Sequence, residues 1–251
     1  MNAPSHFKGK EVIEHVAEAQ AKGILSSSEI HGTEIPGRIS AAADSARDCS
    51  IFLLLAWTVL SHGNISPQQI LYYLAILGFG LLLWKAGRSA WLGWSRLERM
   101  HRVLEQEKWE IEHHRQQERD ELGILYKAKG FDGKLLEDVL DVLMADGDRL
   151  LRVMVEEELG LSLAAYDHPL MQSVGAALGA LAATVCCLLG LLAFGQWGIF
   201  IAALSMVSIG SALAAYHASN RLIPAIVWNV GLTALSFGAV YFLIQYFFQT
   251  P

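Results

Sequence analysis

The sequence predicts an all-α fold: five transmembrane helices, with a three-helix cytoplasmic domain inserted between the second and third spans. The composition is 53% hydrophobic and 18% charged, whereas about a quarter of the residues in an ordinary soluble domain are charged. The charges are also segregated, because all 19 Lys and Arg and 25 Asp and Glu residues except Arg221 lie within residues 1–167. The sequence also contains five apolar runs, which predict the five spans. The net charge of −6, without a basic block, argues against a nucleic-acid partner.

The amino-terminal segment, residues 1–48, is polar and carries acids and bases alike. It therefore has the composition of neither a signal peptide nor a cleaved targeting segment. Val12, Ile13 and Val16 recur at helical spacing, which predicts a short surface helix. We expect the segment to remain on the cytoplasmic side.

The membrane spans are predicted from hydropathy, since a bilayer core of about 30 Å requires about 20 helical residues. The first two runs are short, and we extend them through polar flanks, the second by letting Lys85 and Arg88 reach the interface. Spans one and two then occupy residues 49–89, and spans three to five occupy 169–251. The runs are 49–60, 70–84, 170–194, 197–216 and 222–248.

The orientation follows from the basic residues, because cytoplasmic loops retain Lys and Arg. The loops predicted at 61–69 and 195–198 contain neither residue. All the Lys and Arg residues then fall on one side of the membrane. The amino terminus and the insert are predicted to be cytoplasmic, and the carboxyl terminus lies on the opposite side.

The cytoplasmic insert, residues 90–168, is predicted to be helical with two breaks, at 129–133 and 145–148, where Gly and Asp cluster. No Pro or Gly interrupts residues 95–122. The second span is therefore expected to continue outward as one long rod. The predicted helices are 90–128, 134–144 and 148–160.

An acidic stripe runs along this rod, with spacings of 3, 4, 4 and 3 residues that keep its members on one helix face. Like charges at these spacings destabilise a helix by a few tenths of a kcal/mol per pair. The stripe is either a solvated acidic face or one side of a site for a divalent metal. Carboxylates with an imidazole suit ferrous iron, manganese or zinc. Its members are Glu107, Glu110, His114, Glu118 and Glu121.

A single helix cannot enclose an ion, so a second set of ligands is needed. The third predicted helix provides it, because Met154, Glu157 and Glu158 share a face. Acids near the carboxyl end of a helix are unfavourable against its dipole. A cation bound between the two acidic patches would offset both the repulsion within the stripe and the unfavourable interaction of the third-helix acids with the helix dipole.

The run EKWEIEHHRQQERDELGILYKAKGF (107–131), followed by MVEEELGL (154–161), resembles the vacuolar iron transporter family. The resemblance implies a homodimer of five-span chains with a cytoplasmic metal-binding domain after the second span. It also implies that the ligands are two E-x-x-E pairs together with Met and Glu of the third helix. Here these positions are Glu107 with Glu110, Glu118 with Glu121, and Met154 with Glu158, Glu157 being a further candidate.

The membrane residues depart from the family pattern. The Asp-Gly of the family's first span falls here on Leu55 and Ala56, and its second-span carboxylate falls on Arg88. The metal-binding domain is therefore better matched than the path through the membrane. Asp48, at the start of the first span, is expected to form an interfacial ion pair with Arg47.

Small residues in the apolar spans predict packing rather than chemistry. Gly175 and Gly179 form G-x-x-x-G, which permits close helix packing within the chain or in a dimer. The three cysteines, Cys49, Cys186 and Cys187, lack metal or redox spacing and are expected to be small buried residues.

The predicted function is transport of ferrous or manganous ion across a membrane in exchange for protons, with zinc as a further candidate metal. The alternative is a membrane-anchored metal-binding or sensing protein that no longer translocates metal. An enzyme is not expected, since the sequence contains no Walker loop, G-x-S-x-G or H-E-x-x-H. Ferritin-like oxidation of iron is less well supported, because the stripe has one histidine and no E-x-x-H pair.

Overall fold

A computed structural model describes residues 37–157 and 168–248. Within those ranges it contains seven α-helices and no strand, which confirms the all-α class. The short helix predicted around Val12 and the candidate ligand Glu158 lie outside the described residues. The helices are α1 (Arg38–Ser61), α2 (Pro67–His113), α3 (Arg115–Ala128), α4 (Gly133–Met144), α5 (Gly147–Glu157), α6 (Pro169–His217) and α7 (Leu222–Phe248).

The described residues divide into two compact units. Residues 37–94 and 168–248, which we call the membrane unit, contain α1, the first part of α2, α6 and α7. Residues 95–157, which we call the acidic unit, contain the rest of α2 with α3, α4 and α5. Each unit has its own apolar core, built around Leu53, Leu74 and Ile199 in the first and around Leu122 and Met154 in the second.

Three described helices, α2, α6 and α7, are long and apolar enough to cross a membrane. The first predicted span lies in α1, which does not meet the same test of length and composition. The reason is visible in its sequence, since its first half carries two bases and two acids besides the apolar run. The five-span count therefore stays a prediction.

Helix α6 is interrupted where the loop at 195–198 was predicted. Phe194 and Gly195 have non-helical backbone angles, and the φ of +59° at Gly195 is one that glycine adopts without strain. A Cβ atom on Gly198 would overlap the backbone carbonyl of Gly190. In a straight helix these residues would be about 12 Å apart, so α6 is a hairpin of two packed arms.

Helix α1 packs directly on the first arm of α6 through the G-x-x-x-G pair. A Cβ atom on Gly175 would overlap the carbonyl of Arg38, and one on Gly179 would overlap that of Ala42. The close packing predicted for this pair is thus used within the chain. Of the cysteines, Cys49 and Cys187 are buried, Cys186 is half-buried, and all three are free thiols.

Replacing Gly179 by Ala is expected to destabilise the membrane unit by about 1–3 kcal/mol, because the added methyl group has to push two backbones apart. The matched control is Gly238→Ala in α7, where nothing lies within 4 Å of the new atom. There the better helix propensity of Ala should leave stability unchanged or raise it by up to about 1 kcal/mol. Thermal unfolding of the full chain in detergent measures both, and equal effects would contradict the packing described.

Two expectations about the charged residues of the membrane unit are wrong. Asp48 pairs with Lys85 rather than with Arg47, and Arg47 pairs with Asp44 one turn earlier. Lys85 does not reach outward to an interface but is buried. The physical reason is that a neighbouring helix brings a base to Asp48 from the protein interior, which sequence neighbours cannot do.

Candidate metal centre

The acidic stripe lies in the acidic unit, at the end of α2 and along α3. Three of its glutamates are buried: Glu107 is 5% exposed, Glu118 1% and Glu121 0%. Carboxylates are rarely this buried, because removing the charged form from water is costly. The interpretation of the stripe as a solvated acidic face is therefore wrong for these three side chains.

The other two members of the stripe are half-buried. Glu110 accepts a hydrogen bond from the side-chain amide of Gln106 at 3.1 Å. His114 places its ring 5.5 Å from that of Trp109, edge to face. Both contacts join residues one turn or so apart along the chain.

The rod predicted over 90–128 is not continuous. Helix α2 ends at His113, and α3 begins at Arg115 after His114 adopts a non-helical φ of −127° and ψ of 31°. No Pro or Gly is present, so the break requires a tertiary cause. The break falls between the two E-x-x-E pairs.

Side chains at the start of α3 contact α4. The guanidinium of Arg119 donates to Glu137 and to Asp141, each at 2.7 Å, and both interactions raise its pKa. The guanidinium of Arg115, the first residue after the break, donates to the carbonyl of Met144. These contacts fix α3 against α4 and thereby set the positions of Glu118 and Glu121.

The carboxyl of Glu118 has a strongly raised pKa. Burial, and after it the negative charges of Glu107, Glu121 and Glu110, together raise its pKa to about 9. Glu118 therefore holds a proton at neutral pH in the metal-free protein. These four acids influence one another electrostatically, although the break separates them into two helices.

Met154 of α5 is fully buried in the apolar core of the acidic unit. It packs in one cluster with Ile111 and Leu122, which directly follow Glu110 and Glu121 in sequence. The thioether thus lies among residues adjacent to the stripe. Glu157 is the last residue of α5.

No group of three or more His, Cys, Asp or Glu side chains within 37–157 and 168–248 is arranged to hold a metal ion. The structure brings the glutamates of the stripe into one electrostatic neighbourhood without forming a coordination shell from them. The predicted ligand set stays a prediction for this reason, with Glu158 outside the described residues.

The ion pair between Lys85 and Asp48 was not predicted from the sequence. The two residues are 37 positions apart on different helices, and no local spacing links them. The one available signal was Lys85 itself, a charge directly after the apolar run 70–84. Such a charge in a span is expected to have a partner.

Residues 91–249 match the VIT family, that of the vacuolar iron transporters. The match covers more than half of the chain. The chain belongs to the VIT family. The resemblance stated from the E-x-x-E pairs is thereby confirmed, and no curated protein matches the chain.

Membership of the VIT family and the three apolar helices are consistent with an integral membrane protein of a metal-transporter family rather than an enzyme. The matched range begins within α2 and includes α3 to α7. It excludes α1 and the stretch 83–88. The residues that depart from the VIT pattern in the first two spans lie in this unmatched part.

Proposed function

We propose that the protein is a membrane transporter of divalent metal, ferrous iron or manganese, and that its acidic unit is a cytoplasmic domain that collects the ion. The observation that carries the proposal is the burial of Glu107, Glu118 and Glu121 in a VIT-family chain. Buried carboxylates are stable only when protonated or neutralised by a cation. A divalent ion supplies two positive charges at once.

The ligands we propose are oxygen donors with one sulfur donor. Carboxylates suit hard divalent ions, and a thioether favours softer ones, so a mixed set fits ferrous iron better than magnesium or calcium. Binding would draw the stripe together and complete the shell from the carboxyl end of α5. The full set is Glu107, Glu110, His114, Glu118, Glu121, Met154, Glu157 and Glu158.

Proton exchange is the proposed consequence of metal binding. Glu118 holds a proton in the metal-free protein, and a carboxylate has to lose its proton to coordinate a metal. Each ion collected would therefore release a proton to the cytoplasm. This release supports a transport cycle in which metal and protons move in exchange.

In the membrane unit we propose five crossings: α1, the first part of α2, the two arms of α6, and α7. The absence of Lys and Arg from the loops at 61–69 and 195–198 supports a cytoplasmic amino terminus and a carboxyl terminus on the opposite side. As in the family it belongs to, the chain is proposed to act as a homodimer in the lipid bilayer.

A second candidate function is a membrane-anchored metal-binding or sensing protein without transport. One observation favours it. Within residues 37–94 and 168–248 the only acids are Asp44 and Asp48, and each is paired with a base of the chain. A path for cations would need such carboxylates to be available to the ion.

Uptake into proteoliposomes separates the two functions. The full chain is reconstituted, and uptake of ferrous iron under anaerobic conditions and of Mn²⁺ is followed alongside binding of Mn²⁺ in detergent. Uptake above protein-free vesicles supports the transporter. Binding without uptake supports the anchored protein, and the absence of both would overturn the two proposals together.

A further inference from the structure

A cavity of about 690 Å³ lies in the membrane unit, between the end of α1, the start of α2 and the turn of α6 at Gly195. This volume is within the usual range of sites for small molecules. The described residues that line the cavity include no acid and no base. A ligand that fits it is therefore uncharged where it contacts the protein.

The polarity of the lining changes along the direction of the spans. Polar side chains lie at the helix ends, and apolar side chains of the same three helices lie about one turn, or roughly 4–6 Å, deeper. All three walls become apolar in the same direction, which suits an elongated amphipathic molecule aligned with the helices. The pairs of polar and apolar lining residues are Ser61 and Trp57 in α1, Gln68 and Leu71 in α2, and Gln196 and Leu192 in α6.

The inner wall of the cavity belongs to the apolar core of the membrane unit. Ile70 is a core residue with 7% exposure, and Trp57 and Leu191 pack against the same core. Water would find few hydrogen-bond partners at this wall. If the space stayed empty, the wall atoms would lose their packing contacts on one side. A hydrocarbon chain satisfies this wall, whereas water does not.

The cavity is open to the surroundings of the spans. Tyr72 is 56% exposed and Leu192 is 64% exposed, and both belong to helices that are long and apolar enough to cross a membrane. The medium around such helices is the bilayer. The amphipathic molecules that reach the cavity in the greatest number are therefore phospholipids.

The polar end of the cavity offers a hydrogen-bond donor. The hydroxyl of Tyr72 accepts a hydrogen bond from the side-chain amide of Gln68, with 3.2 Å between nitrogen and oxygen. A phenolic hydroxyl that accepts in this way can still donate its own hydrogen. The ester carbonyls of a phospholipid are acceptors without a hydrogen of their own, so they match this donor.

We propose that the cavity is a phospholipid-binding site. The apolar inner wall holds one acyl chain, and the hydroxyl of Tyr72 donates to an ester carbonyl at the polar end. In the orientation proposed above, the lipid comes from the leaflet opposite the cytoplasm. The inference rests on the membrane location of the chain and is independent of metal binding and transport.

The test is photolabelling of the full chain in maltoside detergent, without metal, by phosphatidylcholine that carries a diazirine in one acyl chain. Mass spectrometry identifies the labelled peptides. Labelling of segments 57–72 and 191–196 is expected to saturate at about one lipid per chain, as for a discrete pocket, and to be displaced by unlabelled phosphatidylcholine. Helix α7, whose surface is largely exposed, provides the reference for non-specific contact, and its labelling should rise in proportion to the lipid concentration.

Tyr72→Phe removes the donor and little else. It is expected to weaken the saturable labelling about fivefold, which is the usual effect of losing one hydrogen bond. The matched control is Tyr73→Phe, because Tyr73 is also exposed but is not among the residues that line the cavity. The control should leave the labelling unchanged.

A second pair of variants tests the place of the acyl chain. Leu192→Trp narrows the cavity and is expected to lower the saturable labelling about fivefold or more, since added atoms cannot share the space of a packed chain. Leu189→Trp is the matched control, because Leu189 lies on the same arm of α6 with 59% exposure and outside the lining.

The inference is overturned if labelling of the cavity segments rises in proportion to lipid as on α7, or if either variant behaves like its control. Strong preference for unlabelled phosphatidylglycerol as the competitor would also overturn it, because the cavity lining provides no base for an anionic head group. The experiment contains no metal, so failure of the proposed transport would not affect its outcome.

Discussion

Replacing Glu118 and Glu121 together by Gln is expected to lower the affinity of the full chain for Mn²⁺ or ferrous iron by a factor of about 100 or more. Both side chains are buried, so water cannot replace the lost oxygens. Removing one charge at the short distances of a coordination shell lowers the affinity for the ion at least about tenfold. Equilibrium dialysis of the protein in detergent measures the loss.

The matched control for this double variant is Glu112→Gln. Glu112 has the same side chain in the same acidic unit, but it is exposed and lies on a neighbouring face of α2. Its replacement should change affinity by less than about twofold, since exposed charges are well screened. If Glu112→Gln weakens binding as much as Glu110→Gln, the chosen face is wrong.

The stability of the metal-free protein is expected to fall as the pH rises from about 5 to 9. The pKa of Glu118 is raised to about 9 in the folded chain, whereas an unfolded Glu titrates near 4.3. Between these values the folded state binds the proton that the unfolded state has released. The contribution of Glu118 to the free energy of unfolding is complete below the pKa of the unfolded state. It is lost as the pH rises through the pKa of the folded state, with a slope of up to about 1.4 kcal/mol per pH unit.

Glu118→Gln isolates this effect, because the amide cannot ionise. The variant should be more stable than the wild type at pH 8 without metal, and its stability should depend less on pH. Asp146 provides a contrast, since backbone N–H groups of Arg149 and Asp148 lower its pKa and its contribution is lost only at acid pH. An unchanged pH profile in Glu118→Gln, measured by chemical unfolding in detergent, would refute the buried protonated state.

The same variant links the two predictions. Glu118→Gln should stabilise the empty protein at pH 8 and weaken its binding of metal. A residue with a purely structural role would lower stability when replaced and would not produce this opposite pair of effects. Residues that bind a ligand often make the protein less stable when the ligand is absent.

The helices and their breaks could largely be predicted from the sequence, because apolar runs and Gly clusters act locally. The breaks around Gly130 and Gly147 and the turn at Gly195 occur where these residues predicted them. The face of the acidic stripe was also predictable, since helical periodicity places side chains three and four residues apart together.

The tertiary contacts could not be predicted in this way. The break at His114 is followed by contacts of Arg115 and Arg119 with α4, and no residue at the break signals it. The partner of Asp48 lies 37 residues away. The burial of Glu118 is likewise decided by what covers the helix, and a periodic pattern cannot say whether a face is covered by solvent or by protein.

The contact of Gly175 and Gly179 with the backbone of α1 has a consequence for biosynthesis. Helix α1 leaves the ribosome early, but its groove on α6 does not exist until more than a hundred further residues have been made. The acidic segment between them is completed in that interval, and domains that emerge first generally fold first. Packing of α1 should therefore be late and slow, because α1 has to wait until its partner helix α6 has been made.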